Sequence, residues 1–248
     1  MSAYRKIALT VAFVASGFVA GACASSKQVR QGNEELSIKA DAYYEALSHT
    51  DNGRYFEAIQ SWKVVLEDEP RFALGHFNIG QVYDQLNLVP EAIEHYEQAA
   101  QLDPGVGRYN LHLGTAYLRA NLTKEAVQTL EKAAEQDPYN PQLHYNLAAA
   151  YMTQKNFDSA LMHTDIAVDL ASVPDARNES GLAKSVDRAQ LARYLARQAE
   201  CHIERGEFDK AGECVKRIEQ QCKAEVPADL RARLDDAPKP EAAEGNNG

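Results

Sequence analysis

Residues 73–106 read ALGHFNIGQVYDQLNLVPEAIEHYEQAAQLDPGV, and residues 107–140 read GRYNLHLGTAYLRANLTKEAVQTLEKAAEQDPYN. The two segments are equally long, and small, aromatic and proline residues recur at the same places in both. The interval extends to both sides, as shown by the equally spaced alanines Ala58, Ala92, Ala126 and Ala160. A fixed period of about 34 residues is typical of stacked copies of one supersecondary unit.

When the copies are aligned with their starts at residues 39, 73, 107 and 141, further aligned positions (columns) hold the same residue type in several copies. They contain Tyr83, Tyr117 and Tyr151; Pro70, Pro104 and Pro138; and Gly80, Gly114 and Ala148. A proline forces the residue before it out of the helical region, so the pattern predicts a helix end before each one. Small residues at Gly80 and Ala92 allow two helices to pack at the near end of the usual range of about 8–10 Å.

These columns resemble the tetratricopeptide repeat, a helix–turn–helix unit with small, aromatic and proline residues at set positions. The resemblance implies an all-α fold, a right-handed α-α superhelix whose first helices line a concave groove. It assigns residues 39–174 to repeats 1–4. The first helix of repeat 1 departs from the pattern, with Glu45 and His49 in apolar columns.

A fifth repeat, residues 192–225, is displaced along the chain. Ala160 and Ala211 stand one and a half periods apart, so residues 175–191 are interpreted as an insertion. Residues 172–181 have the composition of a loop. Apolar residues then recur every three or four positions and predict a helix from about 182 to 205. An additional lone helix is the alternative.

Residues 1–22 are interpreted as a secretory signal peptide. A short basic start precedes an apolar run from Ile7 to Ala20, which is shorter than the roughly 20 residues of a membrane span. The small residues before Cys23 resemble the bacterial lipoprotein signal, although Ala20 stands where that signal usually has Leu. This resemblance implies lipidation of Cys23, with residues 23–38 as a tether and start of the first helix. Simple secretion with cleavage after Ala22 is the alternative.

Charge and composition narrow the choice of partners. Without the signal peptide, 24 basic residues stand against 36 acidic ones, a net charge of −12, which argues against binding nucleic acid. Membrane contact is therefore expected only through the lipid. Residues 226–248 are rich in Pro, Ala and Glu and are expected to be mostly disordered. A short helix over Ala228 to Leu234 also fits and would cap the stack.

No catalytic, cofactor or metal constellation stands out in the sequence. His76 and His144 share one column, and His95 and His163 share another, a recurrence that the repeat itself explains. Three cysteines lie in the fifth repeat, and we expect buried free thiols; they are Cys201, Cys214 and Cys222. Cys214 and Cys222 are eight residues apart on one predicted helix, hence about 12 Å along its axis, too far for a disulfide.

Candidate peptide-binding residues come from the first helices, which in this family line the groove. One column of those helices holds Tyr44, Asn78, His112, Asn146 and Arg197. Asn offers a donor and an acceptor, which suits the backbone of an extended peptide. Asn78, Arg108 and His112 also partly resemble the clamp with which some family members hold a C-terminal carboxylate. Solvated polar residues on a helix face are the alternative interpretation.

The expected function is that of a non-enzymatic scaffold which binds a protein or peptide in the bacterial cell envelope. The lipoprotein resemblance implies an anchor at the outer membrane, facing the periplasm. The layout is similar to the lipoprotein pilotins of type IV pili and to outer-membrane assembly lipoproteins with such repeats. An accessory subunit of a cell-wall enzyme and a structural spacer without a ligand are the alternatives.

Overall fold

The computed structural model describes residues 41–172 and 187–237, which form helices and turns without a strand among them. The all-α class predicted from the repeat pattern is confirmed. The helices are α1 (residues 41–51), α2 (Tyr55–Asp68), α3 (Ala73–Gln85), α4 (Val89–Leu102), α5 (Gly107–Arg119), α6 (Thr123–Gln136), α7 (Pro141–Thr153), α8 (Phe157–Ser172), α9 (Arg188–Glu204), α10 (Phe208–Arg217) and α11 (Ala228–Asp235). A π-helix, Ile218–Cys222, follows α10 directly. No helix in this part of the chain combines the length and apolar composition that a bilayer span requires.

The helix starts repeat with the period of the sequence. The first helices α3, α5 and α7 begin at Ala73, Gly107 and Pro141, and each is 13 residues long. The second helices keep the same interval and begin at Tyr55, Val89, Thr123 and Phe157. The repeat of residue types is therefore a repeat of helical hairpins.

The turn inside each hairpin uses one residue in the left-handed region. These residues are Gly53, Asn87, Asn121, Lys155 and Gly206, with φ between 58° and 74°. Glycine adopts this conformation without a Cβ penalty, and Asn tolerates it better than most residues. The last interval, from Lys155 to Gly206, is one and a half periods long and equals the interval from Ala160 to Ala211.

The small residues of the repeat lie where two helices approach most closely. A Cβ on Gly80 would lie 2.8 Å from the ring of Tyr96 and 3.4 Å from the carbonyl oxygen of Ala92. Ala92 and Tyr96 have no exposed surface. The close approach expected between Gly80 and Ala92 is thus confirmed, and the Tyr96 ring fills the space that a side chain would need.

The chain forms two compact units, with the boundary between Leu102 and Asp103. In the first unit, α1–α3 pack around Trp62, which is fully buried and donates from Nε1 to Thr50 Oγ1 at 3.3 Å. His49, which is off-pattern in the sequence, is half-buried and bonds through Nδ1 to Ser61 Oγ at 3.2 Å. The hydrogen bond to Ser61 therefore allows a histidine at a position where the other repeats have an apolar residue.

The second unit contains α5–α11. Leu130, Leu143 and Leu147 pack together between α6 and α7. A larger group joins α8–α11 and the π-helix, and includes Val168, Leu195, Ile218 and Leu230. Helix α7 contacts both α5 and α9. The first helices of the three hairpins in this unit therefore lie side by side in one row. This row positions the candidate site.

Helix α9 begins later than the sequence predicts. The pattern indicates a start near residue 182, but Asp187 is extended and its carboxylate accepts from the backbone N–H of Gln190 at 3.0 Å. This N-cap fixes the helix start at Arg188. At 17 residues α9 is still longer than α3, α5 and α7, and residues 173–186 of the expected loop and insertion lie outside the described residues.

Part of the C-terminal region forms a helix. Disorder is expected over most of residues 226–248, yet residues 226–237 are described and α11 lies within them, as the short-helix pattern indicates. Leu230 is fully buried against the core of the fifth hairpin. Arg233 also bonds Glu204 of α9 at 2.5 Å. One buried leucine thus anchors a segment whose average composition is that of a disordered tail.

Candidate peptide-binding site

A chain of hydrogen bonds crosses α5, α7 and α9. Asn146 donates from Nδ2 to Thr115 Oγ1 at 2.8 Å and accepts at Oδ1 from Gln142 Nε2 at 2.9 Å. The hydroxyl of Tyr194 in turn donates to Gln142 Oε1 at 3.4 Å and accepts from Gln190 Nε2 at 2.6 Å. Side chains from three helices are therefore held in one arrangement, which fixes the surface beside them.

Arg197 lies at the centre of the neighbouring surface. Its guanidinium carbon is 5.2 Å from the ring centroid of Tyr145, and Nη2 donates to the Tyr145 hydroxyl at 3.2 Å. Nη1 bonds Glu200 at 3.0 Å, one turn along α9. Within the described part of the chain Nε of Arg197 is buried without a hydrogen-bond partner. The side chain is thus oriented from two sides and retains one unused donor.

The surroundings keep the arginine charged. Burial disfavours the charge of Arg197, but Tyr145 and Glu200 outweigh it and raise its pKa. Burial also raises the pKa of Tyr194, so its hydroxyl stays protonated and can donate. The site therefore presents a permanent cation beside neutral hydroxyl and amide groups at any ordinary pH.

A cleft of about 370 Å³ opens beside this arginine. The side chains that line it from α7 and α9 are Tyr145, Ala189, Ala192, Arg193, Ala196, Arg197 and Glu200, and residues 224–227 contribute Ala224, Glu225 and Pro227. Three alanines on α9 leave the space that larger side chains would fill. Its volume lies in the range of about 300–1,000 Å³ that ligand pockets usually have. It can hold an apolar side chain with polar groups in reach.

The candidate residues predicted from the sequence have different surroundings. Tyr44 on α1 is 36 % exposed and Asn78 on α3 is half-buried, and both belong to the first unit. In the second unit Arg108 is exposed and His112 is half-buried on α5, whereas Asn146 is only 8 % exposed. Of these five, the structure places Asn146 in the hydrogen-bond chain beside the cleft, where its contacts are within the protein.

Several residues of the site did not follow from the sequence pattern. Gln142 and Thr115 lie in columns without a recurring residue type, so nothing marked them as partners of Asn146. A signal for Gln142 does exist, because residues four apart on a helix share a face. The recurring apolar residues of this region predicted only a helix, although Ala189, Ala192 and Ala196 also line the cleft.

The buried thiols give no sign of nucleophilic chemistry. Cys201, Cys214 and Cys222 are free and buried, as expected from the sequence. Burial raises the pKa of Cys201 to about 12 and that of Cys214 to about 11, which keeps both as thiols. Residues 41–172 and 187–237 also contain no group of three or more His, Cys, Asp or Glu side chains that could hold a metal ion.

Comparison with known proteins identifies the repeats. Two family models described as tetratricopeptide repeat match residues 73–106 and 117–161. These two segments are therefore similar to tetratricopeptide repeats. A search of curated protein sequences gave no match.

Solved structures show the same fold. A crystal structure of MamA superimposes with a TM-score of 0.63 at 18 % identity, covering 76 % of this chain and 98 % of that one. MamA from Desulfovibrio magneticus RS-1, residue 41 to its end, gives 0.64 at 15 % identity and covers 76 % and 97 %. A thermophilic tetratricopeptide protein of Thermus thermophilus gives 0.54 at 18 % identity and covers 80 % and 98 %. These likenesses establish the tetratricopeptide solenoid fold that the sequence predicts.

Proposed function

We propose that this chain is a non-enzymatic scaffold that binds an extended segment of a protein partner on the face formed by α5, α7 and α9. The cleft beside Arg197 carries this conclusion, because it joins an apolar surface to oriented hydrogen-bonding groups. Arg and Tyr are enriched among the residues that dominate protein–protein binding energies. Arg197 and Tyr145 are held in contact before any partner arrives, so little side-chain entropy is lost on binding.

The groups around the cleft suit an extended partner segment that inserts one apolar side chain. The alanines of α9 provide a surface against which an apolar side chain of the partner can be buried. Arg193 is exposed at the same cleft and can donate to carbonyl or carboxylate oxygens. Nε of Arg197 becomes available to an acceptor once the side chain moves slightly. The partner segment would therefore present an apolar residue next to main-chain or acidic oxygens.

We also propose that the scaffold acts in the cell envelope as a lipoprotein of the outer membrane. Support comes from residues 1–22, with their short apolar run, and from Cys23 after small residues. Residues 1–40 lie outside the described part of the structure. Acylation with two or more chains would give a stable anchor, whereas a single chain binds membranes only marginally. There the scaffold would assist the assembly or localisation of an envelope complex.

Site-specific photo-cross-linking in cells tests the binding role. A photo-reactive amino acid replaces Ala192 in the cleft, and a matched control replaces Met162, which is 51 % exposed on α8. We expect a discrete cross-linked protein, identifiable by mass spectrometry, only with the probe at position 192. Equal or absent cross-linking at the two positions would favour a spacer without a ligand and contradict a binding cleft.

Metabolic labelling with palmitate tests the anchor separately. The wild-type protein should incorporate the label and fractionate with outer membranes, and Cys23→Ser should lose both properties. Label retained in Cys23→Ser would contradict the lipoprotein role. The cross-linking experiment at position 192 tests the binding role independently of this result.

A further inference from the structure

The same pair of histidines occurs in two hairpins. His76 on α3 and His95 on α4 have their Nδ1 atoms 3.2 Å apart, and in the second unit His144 on α7 and His163 on α8 have theirs 3.1 Å apart. The second pair follows the first after two full periods of the repeat. Because the geometry recurs in two separate compact units, it belongs to the hairpin itself.

The hydrogen bond made by Nε2 of His76, and by Nε2 of His144, fixes which ring nitrogens carry a hydrogen. Nε2 of His76 is 3.0 Å from the carbonyl oxygen of Pro70, and Nε2 of His144 is 2.9 Å from that of Pro138. A carbonyl can only accept, so this nitrogen carries the hydrogen in each ring. In the neutral ring Nδ1 then has a lone pair, and Nδ1–H of the partner His95 or His163 donates to it. One proton bridges each pair.

The rings of each pair are close neighbours joined through these nitrogens. The ring centroids are 5.5 Å apart in the first pair and 5.3 Å apart in the second. The two Nδ1 atoms are thus much closer to each other than the ring centres are. Such an arrangement suits an N–H···N bond between the rings.

A tyrosine ring stacks on one histidine of each pair. Tyr83 stacks on His95 with centroids 5.4 Å apart, and Tyr151 stacks on His163 at 5.6 Å. His144 is only 5 % exposed. Burial lowers the pKa of His95 and of His163 to about 4, and the partner histidine acts in the same direction. A second positive charge on either pair is thus strongly disfavoured.

We propose that the two histidine pairs are acid-sensitive connections between the helices of their hairpins. With one bridging proton, each pair ties the first helix to the second. When both rings are charged, two N–H groups face each other and two positive charges repel, so the connection is lost. His144 directly precedes Tyr145 and Asn146 in α7, so loss of the second pair releases the helix that carries the candidate cleft.

The two histidine pairs have neighbouring residues of opposite charge. Lys63 on α2 faces His95 and lowers its pKa, whereas Glu131 on α6 faces His163 and raises its pKa. The two residues occupy the same column of the repeat, two periods apart. Glu131 also accepts a hydrogen bond from the Tyr151 hydroxyl at 2.5 Å. Glu131→Lys should therefore shift the titration of His163 to lower pH.

The intervening hairpin supplies a matched substitution. One period before His144 and His163 stand Asn110 and Thr129, which do not titrate in this range. Asn110 is buried and donates to Gln136 Oε1 at 3.0 Å, so the hairpin packs without a histidine pair. Replacing each histidine pair by Asn and Thr therefore uses a combination that this chain already accommodates.

The direction of the pH effect follows from the lowered pKa values. In the unfolded chain His95 and His163 titrate near 6.5, and in the folded chain near 4. Between these values the unfolded state binds more protons, so the free energy of unfolding decreases as the pH falls from 6.5 towards 4. The contribution is fully present above 6.5.

Heteronuclear NMR of the histidine rings in the whole protein tests the inference directly. In a titration from about pH 8 to about pH 3, His95 and His163 should stay neutral until the pH approaches 4, well below the value of free histidine. In Glu131→Lys the midpoint of His163 should move to lower pH. Independent titration of all four rings near the value of free histidine would overturn the inference.

Urea unfolding supplies the second measurement. The variant His76→Asn/His95→Thr/His144→Asn/His163→Thr is compared with the wild type at about pH 7.5 and about pH 4.5. We expect the urea midpoint to fall clearly less with acid in the variant. Equal falls would contradict the proposed connections. If the variant does not fold at the higher pH, the ring titration of the wild type and of Glu131→Lys decides the question.

Discussion

A Cβ atom on Gly114 would lie 2.5 Å from Cγ of Leu130, closer than two unbonded carbon atoms can approach. Leu130 has no exposed surface, so it cannot move out of the way into solvent. The missing side chain at position 114 therefore sets how closely α5 packs on α6. Gly80 and the ring of Tyr96 have the same relationship in α3 and α4.

The first prediction follows from this contact. Gly114→Ala should lower the free energy of unfolding by about 1–3 kcal/mol, because the added methyl group overpacks a buried interface. Gly212→Ala in α10 is the matched control, since a Cβ there meets nothing within 4 Å. That variant should gain up to about 1 kcal/mol from the better helix propensity of Ala. Urea unfolding measures both, and a neutral Gly114→Ala would contradict the close packing.

The second prediction concerns the C-terminal helix. Leu230→Ala should lower the free energy of unfolding by about 2–5 kcal/mol, because it leaves a cavity among buried residues of the fifth hairpin. Met162→Ala, at a half-exposed position of α8, should change it by much less. Thermal unfolding followed by circular dichroism gives the comparison. Equal stability of Leu230→Ala and wild type would show that α11 does not pack in solution.

The third prediction separates the two roles of Tyr145. Tyr145→Phe keeps the ring beside Arg197 but removes the hydroxyl bonded to Nη2, which should weaken partner binding by about 0.5–1.5 kcal/mol. Arg197→Ala removes both contacts and should cost about 2 kcal/mol or more. Arg188→Ala, at an exposed position of the same helix, is the control. The yield of cross-linking from position 192 reports the order, and an effect of Arg188→Ala as large as that of Arg197→Ala would contradict it.

The fourth prediction uses the thiols. Cys201, Cys214 and Cys222 should not react with a thiol-specific disulfide reagent in the native protein, because burial keeps them protonated and inaccessible. In denaturant these three should react. A fourth thiol, that of Cys23, should be absent from the denatured count if it is lipidated. Rapid reaction of a native thiol of the fifth hairpin would show that this hairpin opens easily.

The hairpins could be predicted because the choices that form them are local. Pro104 and Pro138 follow the helix ends, as the sequence predicts, and Asn87 and Asn121 adopt the left-handed conformation of the turns. Each of these effects acts within a few residues, so a repeated residue type produces a repeated structure. The start of α9 was less predictable because a single cap, Asp187, overrides the apolar pattern before it.

The candidate site could be predicted only in part. The polar column on the first helices includes Asn146 and Arg197, but the pattern could not tell which of them faces a partner. Asn146 bonds Thr115, 31 residues away, and Arg197 bonds Tyr145, 52 residues away. Such partners depend on how side chains of different hairpins meet, which no local periodicity contains.

The sequence by itself determined a stack of helical hairpins, because period, turn residues and small contact residues act through near neighbours along the chain. Only the tertiary structure decided what the repeated columns do. In the tertiary structure His76 contacts His95 and His144 contacts His163, Asn146 is buried, and a cleft lies beside Arg197. The physical reason is that hydrogen bonds and cavities depend on distances of a few tenths of an ångström between side chains from different helices, which residue type and spacing do not specify.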